Sequence, residues 1–391
     1  MIPYGRQEIT DNDILEVEKV LRSDFLTQGP IVPKFEKSVA DYCGASNAIA
    51  VNSATSALHI ACLALDLGPG DWMWTSPNTF VATANCGLYC GANVDFVDID
   101  PNTYNMSVKA LKDKLAEAEK LGLLPKIVIP VHLAGQPCDM IAIHELSKKY
   151  GFKIIEDASH AIGASYNQTK VGSCAHSDIA IFSFHPVKII TTGEGGMALT
   201  NDEMIANRLV HLRNSGNTRN KLFMQPRPEN EIWNYQQIEL GFNYRMTDIQ
   251  AALGLSQLKR LDKFISRRRE IAKHYDKAFD FLPIKVPFQL KGTLSSYHLY
   301  PICIQENKNE ITQKEIYNIL WKNKISVSLH YIPVYLQPYY QSLNFKRGYC
   351  PNAESYFKSA LSIPVYVGLS LENQNNVINI ISDAFLDYKQ E

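Results

Sequence analysis

The stretch Ile179-Ala180-Ile181-Phe182-Ser183-Phe184-His185-Pro186-Val187-Lys188-Ile189-Ile190-Thr191-Thr192-Gly193-Glu194-Gly195-Gly196-Met197-Ala198-Leu199-Thr200-Asn201 holds a lone lysine, Lys188, between two apolar, strand-like runs. Ser183 offers a hydroxyl five residues earlier, and Gly193-Glu194-Gly195-Gly196 is a turn signal just after. An ammonium is strongly hydrated, so a lysine amid so little other charge reads as a poised amine rather than part of a solvated face. Desolvation lowers the pKa of an amine, and a free amine attacks carbonyls to give a Schiff base. On this segment alone, a lysine reaching solvent from a sheet edge explains the residue equally well.

A second run, Phe152-Lys153-Ile154-Ile155-Glu156-Asp157-Ala158-Ser159-His160-Ala161, ends a hydrophobic strand in an acid. Such a strand delivers its carboxylate to the carboxyl edge of a parallel sheet, where open α/β folds bind ligands. Asp157 by itself is also a good helix cap. Paired with Lys188 it completes the protein half of pyridoxal phosphate (PLP) chemistry: an amine for the aldehyde and a carboxylate for the pyridinium nitrogen. A third element suits the phosphate. The strand-like Ala48-Ile49-Ala50-Val51 leads into Asn52-Ser53-Ala54-Thr55-Ser56-Ala57-Leu58, which opens an apolar helix running to about Leu65. Small residues at a helix N-terminus leave amides free for an anion, and Thr55 and Ser56 add hydroxyls; plain capping is the competing reading. There is no P-loop and no Gly-x-Gly-x-x-Gly fingerprint.

Around these segments, strand-like and helical stretches alternate through residue 260, which predicts a parallel sheet with helices on both faces. Strands are expected at 72–76, 94–99, 127–132, 153–157, 179–184 and 196–200. Helices are expected at 106–121, where Leu111, Leu115 and Ala118 recur at helical spacing, and at 139–150, stopped by Gly151. A long helix starting at Thr247 is expected to extend through Arg267-Arg268-Arg269-Glu270 as a solvated face. From about 262 the pattern changes to a smaller α+β unit, with strands near 297–304 and 325–331 and helices near 312–323, 352–361 and 372–387. Residues 1–30 read as an amphipathic helix, with Ile14, Val17, Val20 and Leu21 about one turn apart, followed by a loop that covers a site. The division is therefore 1–30, 31–261 and 262–391.

At 391 residues the chain exceeds one small core. Its 39 basic and 40 acidic side chains leave a formal charge of −1, without the basic excess a nucleic-acid partner usually demands. No apolar run approaches the ~18 residues of a membrane span, and no signal-peptide pattern opens the chain, so a cytoplasmic protein is expected. The eight cysteines are scattered; Cys86 and Cys90 are spaced C-x3-C, but no second Cys or His pair completes a zinc set, so no metal is expected. Reduced, buried thiols are the better expectation.

Taken together, the segments resemble the DegT/DnrJ/EryC1/StrS sugar aminotransferases over nearly the whole chain. The likeness rests on Gly29-Pro30, Phe35-Glu36, Asn52 to His59, Pro77-Asn78-Thr79-Phe80-Val81-Ala82-Thr83, Pro130 to Gln136, Glu156-Asp157-Ala158, Ser183 to Lys188 and Gly241-Phe242-Asn243-Tyr244-Arg245-Met246. It implies a type I aminotransferase fold: a large doubly wound, mostly parallel sheet domain and a smaller C-terminal α+β domain. It implies PLP on Lys188, with Asp157 at the ring nitrogen, Phe80 on the ring face and His160 beside the ring hydroxyl. Ala54, Thr55 and Ser183 would hold the phosphate, joined by Asn243 from a neighbouring subunit. The implied assembly is a homodimer with shared active sites.

The closer likeness, in Met1 to Gln7, Ser23 to Gly29 and His330 to Tyr335, is to a branch that aminates UDP-2-acetamido-2,6-dideoxy-β-L-arabino-hexos-4-ulose at C4, with L-glutamate as donor. It implies substrate contacts at Tyr4, Asp24, Phe25, Leu26, Thr27, Ser328, Leu329, His330 and Tyr331. An enzyme for another 4-keto-6-deoxy sugar nucleotide differs only in pocket residues. A non-catalytic PLP or sugar-binding regulator is the reading from another class, and the intact Lys188 argues against it.

Overall fold

A computed structural model describes residues 1–228, 230–306 and 311–386. Seven strands form the main sheet: β1 (Asn47–Val51), β2 (Trp72–Thr75), β3 (Asn93–Phe96), β4 (Ile127–Ile129), β5 (Lys153–Asp157), β6 (Ile179–Ser183) and β7 (Gly196–Thr200). They lie in the order β1-β7-β6-β5-β4-β2-β3. Every neighbouring pair is parallel except those made by β7, which runs antiparallel to β1 and β6. Runs such as Ile127-Val128-Ile129 and Ile179 to Phe182 are apolar without alternation because both faces are covered. β3 and β4 stop short of the expected 99 and 132.

The covering helices are α1 (Asp11–Leu21), α2 (Ile31–Cys43), α3 (Ala54–Ala64), α4 (Ala82–Tyr89), α5 (Val108–Leu121), α6 (Met140–Tyr150), α7 (Glu203–Arg213) and α8 (Asp248–Leu258). α5 buries Leu111, Leu115 and Ala118 as their spacing requires, between the Ser107 cap and the left-handed Gly122. α3 is buried almost all round, from Ser56 to Cys62. α1 departs from its expected apolar stripe. Val20 is buried, but Ile14 and Leu21 face outward. A buried acid anchors the helix instead: Asp13 accepts from Ser256 Oγ at 2.7 Å, Gln257 Nε2 at 3.0 Å and Arg260 Nη2 at 2.5 Å.

The long helix expected from Thr247 is two helices. Thr247 caps α8 in a capping box with Gln250, and α8 ends at Leu258. α9 (Leu261–Phe279) begins after Arg260, whose non-helical turn lets its guanidinium reach Asp13 and Glu8. On α9, Arg268 is not part of a solvated face; it is 2 % exposed, with Nη1 donating to the carbonyls of Tyr297, His298 and Val365.

Beyond it lies a three-stranded antiparallel sheet, β8 (Ile284–Lys285), β9 (Tyr300–Ile304) and β10 (Ala360–Ile363), with β9 central. Around it lie α10 (Gln313–Lys322), α12 (Pro351–Ser359) and α13 (Leu371–Leu386), whereas α11 (Pro338–Ser342) packs on the main core through Tyr340, whose hydroxyl donates to Asn85. A separate core of Ile271, Tyr275, Tyr300, Ile302, Ile316, Val377 and Ile381 holds this part together. The strand expected at 325–331 is absent; single bridges join Ile325 to Ile2 and Ser328 to Ser362, so the chain's first residues stitch onto it. Among the described residues, no helix is long and apolar enough to cross a membrane.

Candidate active site

The carboxyl ends of β1, β5 and β6 and the loop from β6 to β7 surround a cavity of about 790 Å³. Asp157 closes β5, its N–H donating to Pro130 and its carbonyl accepting from His132. Its carboxylate is 5 % exposed and held from both sides: Thr83 Oγ1 donates to Oδ2 at 2.6 Å, and the Ser159 N–H donates to Oδ1 at 3.1 Å. Thr79 Oγ1 lies 2.7 Å from Thr83 Oγ1, so a hydroxyl chain from the first turn of α4 fixes the acid's orientation. Strand alternation sends the neighbouring Glu156 to the opposite face, where it pairs with His132 at 2.7 Å and accepts from Ser177.

Lys188 follows β6 on a turn, its N–H bonded to the His185 carbonyl. Burial brings its amine down to about 8, with the charge of Asp157 opposing. α3 points its N-terminus into the same cavity. Ser53 caps the helix by accepting the Ser56 N–H at 3.1 Å, while the first-turn amides of Ala54 and Thr55 have no partner within the helix. This end attracts anions. Gly196 makes the arrangement possible: a Cβ there would sit 2.5 Å from the Ala54 nitrogen and the Ser53 backbone, so only glycine lets β7 start against this turn. Ser183 lines the cavity beside it.

Tyr4, His160, His298, His330 and Tyr331 line the same cavity. Ala134 donates its N–H to His160 Nδ1 at 3.3 Å, which leaves the proton on Nε2, 3.3 Å from the Tyr331 hydroxyl. The His160 and His298 rings lie 4.4 Å apart. Burial, with the positive charge of Lys188, keeps His160 and His298 well below the usual histidine range and takes His330 down to about 3. All three rings are therefore neutral at pH 7. His330 Nδ1 lies 2.9 Å from Ser362 Oγ, and its ring packs 5.4 Å from that of Tyr4.

Of the residues singled out in the sequence, Tyr4, Ala54, Thr55, Phe80, Asp157, His160, Ser183, Lys188, His330 and Tyr331 meet around this cavity. Phe80 stands at its mouth, 58 % exposed. Others lie elsewhere on this chain. Asp24, Phe25, Leu26 and Thr27 are exposed beside the start of α8, where the Leu26 carbonyl accepts from Asp248 and Thr27 bridges to Thr247. Ser328 is engaged with Ser362, and Leu329 packs against the main core. Asn243 is exposed, its backbone bridged to Asn214. Thr83 and His298 also line the cavity and escaped the sequence reading as site residues. Thr83 stood inside a motif quoted whole, and its partner lies 74 residues away. Among the described residues, no group of His, Cys, Asp or Glu is arranged to hold a metal.

An amine of lowered pKa, a fixed carboxylate, a free helix N-terminus cleared by a glycine and an aromatic ring at the mouth are the donor set PLP requires. Residues 7–382 match the DegT/DnrJ/EryC1/StrS aminotransferase family. The chain belongs to that family. It is a PLP-dependent sugar aminotransferase. The spore coat polysaccharide biosynthesis protein SpsC of Bacillus subtilis is 39 % identical to it, with 98 % of this chain and 96 % of SpsC covered. The UDP-4-amino-4,6-dideoxy-N-acetyl-beta-L-altrosamine transaminase of Campylobacter jejuni is 38 % identical, covering 95 % and 94 %. Among solved structures, Helicobacter pylori PseC, an aminotransferase involved in the biosynthesis of pseudoaminic acid, superposes with a TM-score of 0.89 at 31 % identity over 99 % of both chains. The type I aminotransferase fold expected from the sequence is thus the fold observed.

Proposed function

We propose that this aminotransferase moves the amino group of L-glutamate to C4 of UDP-2-acetamido-2,6-dideoxy-β-L-arabino-hexos-4-ulose, giving UDP-4-amino-4,6-dideoxy-N-acetyl-β-L-altrosamine. The observation that carries the reading is Lys188 and Asp157 on one cavity that Tyr4, His330 and Tyr331 also line. When bound, PLP supplies an aldehyde for amine exchange and an electron sink for the carbanion at the substrate carbon. Asp157, oriented by Thr83 and Ser159, would hold a proton on the ring nitrogen. Lys188 would hold the cofactor through its amine, and that amine is placed to carry a proton at the substrate carbon. The Ala54 and Thr55 amides and the Ser183 hydroxyl would hold the phosphate, Phe80 would pack on the ring, and His160 would serve the ring hydroxyl.

Tyr4, His330 and Tyr331 offer apolar faces with hydrogen-bonding tips, which suits an amino sugar carrying few charges. Asn243 and the run Asp24 to Thr27, which lie outside this chain's own cavity, act in the site of a second copy within a homodimer. The likeness to the Campylobacter transaminase supports the altrosamine product. The equal likeness to SpsC favours, as second reading, another 4-keto-6-deoxy sugar nucleotide destined for a polysaccharide. The deciding measurement offers the L-arabino and D-xylo 4-keto sugars with glutamate and compares kcat/KM. A site that hydrogen-bonds an epimer-specific group rejects the wrong epimer strongly. Preference for L-arabino is expected; preference for D-xylo moves the enzyme to the second reading.

A further inference from the structure

His298 lines the cavity from the segment Ser295 to Leu299, which is pinned on three sides. Ser296 Oγ donates to the His160 carbonyl at 2.8 Å, and the Leu299 N–H donates to the Ala134 carbonyl at 3.3 Å. Arg268 Nη1 donates to the carbonyl of His298 itself at 3.2 Å. The ring so fixed is 4 % exposed and lies 4.4 Å from that of His160. Its Nδ1 is enclosed and has no hydrogen-bond partner among the described residues. An enclosed nitrogen without a partner is costlier as an N–H than as a lone pair. The proton therefore sits on Nε2, the one ring nitrogen that a ligand in the cavity can meet. His298 is a neutral donor with no acceptor of its own.

The charge behind it is positive. Arg268 is 2 % exposed, and burial brings its guanidinium down only to about 10, so it stays a cation at pH 7. Its Nη1 is matched by three carbonyls, its Nε has no partner, and among the described residues no carboxylate pairs with it. A buried cation held by neutral dipoles alone favours an anion nearby in the same poorly screened region. Lys188 is the only lysine or arginine on the cavity lining, and the cofactor takes it. L-Glutamate brings two carboxylates to this cavity. We propose that His298 is a binding residue for the amino donor, its Nε2–H donating to one carboxylate of L-glutamate within the field of Arg268. The inference rests on L-glutamate being the donor. The sugar nucleotide carries no carboxylate, so the two half-reactions separate the role.

The test uses the PLP-loaded full-length protein and measures the binding of glutarate, an unreactive dicarboxylate, by calorimetry. His298→Phe keeps a ring against His160 without a nitrogen and should weaken glutarate about tenfold or more. Glutaramide, the neutral diamide, should bind wild type more weakly than glutarate and change less on substitution. His298→Gln returns a donor near the Nε2 position and His298→Asn near Nδ1, so Gln should regain affinity where Asn does not. In the donor half-reaction, half-saturation by L-glutamate should rise in His298→Phe in step with the loss of glutarate. In protein loaded with pyridoxamine phosphate, half-saturation by the keto sugar should stay within about twofold. The comparison of Gln with Asn stands even where the Phe protein does not fold. A folded His298→Phe protein that holds glutarate as wild type does, an equal rise in both half-reactions, or Asn matching Gln overturns the assignment. A wild type that takes no amine from L-glutamate ends the donor reading and this inference together. Normal use of L-glutamate by His298→Phe ends this inference alone.

Discussion

At Lys188 the controlling quantity is the fraction of free amine. The deprotonated form attacks the PLP aldehyde, and with the amine at about 8 that form gains as pH rises toward 8 and dominates above it. Capture of PLP by the cofactor-free protein, followed by absorbance, should accelerate about tenfold per pH unit below 8 and level off above. The charge of Asp157 favours the ammonium, so Asp157→Asn should move the midpoint below 8 while turnover falls. A wild-type midpoint near that of free lysine, or an upward move in the Asn protein, contradicts the assignment. Borohydride reduction and peptide mapping should place the pyridoxyl group on Lys188, and Lys188→Ala should lose both label and turnover; a label on another lysine refutes it. Lys188 and Asp157 were legible in sequence because each ends or follows an apolar run whose strand character fixes its place on the sheet edge. Thr83 and His298 were not. Their importance comes from partners, Asp157 and His160, that only the folded chain brings within reach.

At the scale of elements, strands buried on both faces read clearly, since uninterrupted Ile, Val and Phe have no other economical placement. The junction of α8 and α9 did not read, because Leu258-Lys259-Arg260-Leu261 contains neither glycine nor proline to mark a break. What stops α8 is tertiary: Arg260 turns out of helical geometry toward Asp13 on α1. Arg268 misled for the same reason, since its neighbours Arg267 and Glu270 do pair in solvent. Arg268 joins α9 to two segments that shape the cavity, one carrying His298 and the other Val365, whose N–H bonds the Tyr4 carbonyl. Arg268→Met leaves those carbonyls unmatched in a dry interior and should cost about 3 kcal/mol or more, read as a lower urea midpoint. Glu270→Ala, removing an exposed partner, should cost about 0–1 kcal/mol. Equal midpoints for the two variants would show that Arg268 is not the tie.

For the whole molecule, the question is where the exposed apolar side chains go. Leu222, Ile232, Trp233 and Leu240 cluster on the segment that leads to Asn243, with Trp233 69 % exposed. Phe25 and Leu26 add apolar surface on the run Asp24 to Thr27. Apolar surface gathered on segments that carry unplaced site residues is what a second copy would cover. In such a dimer each cavity takes Lys188 and Asp157 from one chain and Asn243 from the other. Mixing Lys188→Ala chains with Asn243→Ala chains then builds, in each hybrid dimer, one cavity with both defects and one with neither. A random mixture has about half its dimers hybrid, so activity should recover to about a quarter of wild type, far above either parent alone. The measurement needs both chains tagged differently, so that hybrid dimers are purified and shown to form before assay. Hybrids that form and stay as inactive as the Lys188→Ala parent would place Asn243 outside the neighbouring cavity and remove the reason for sharing.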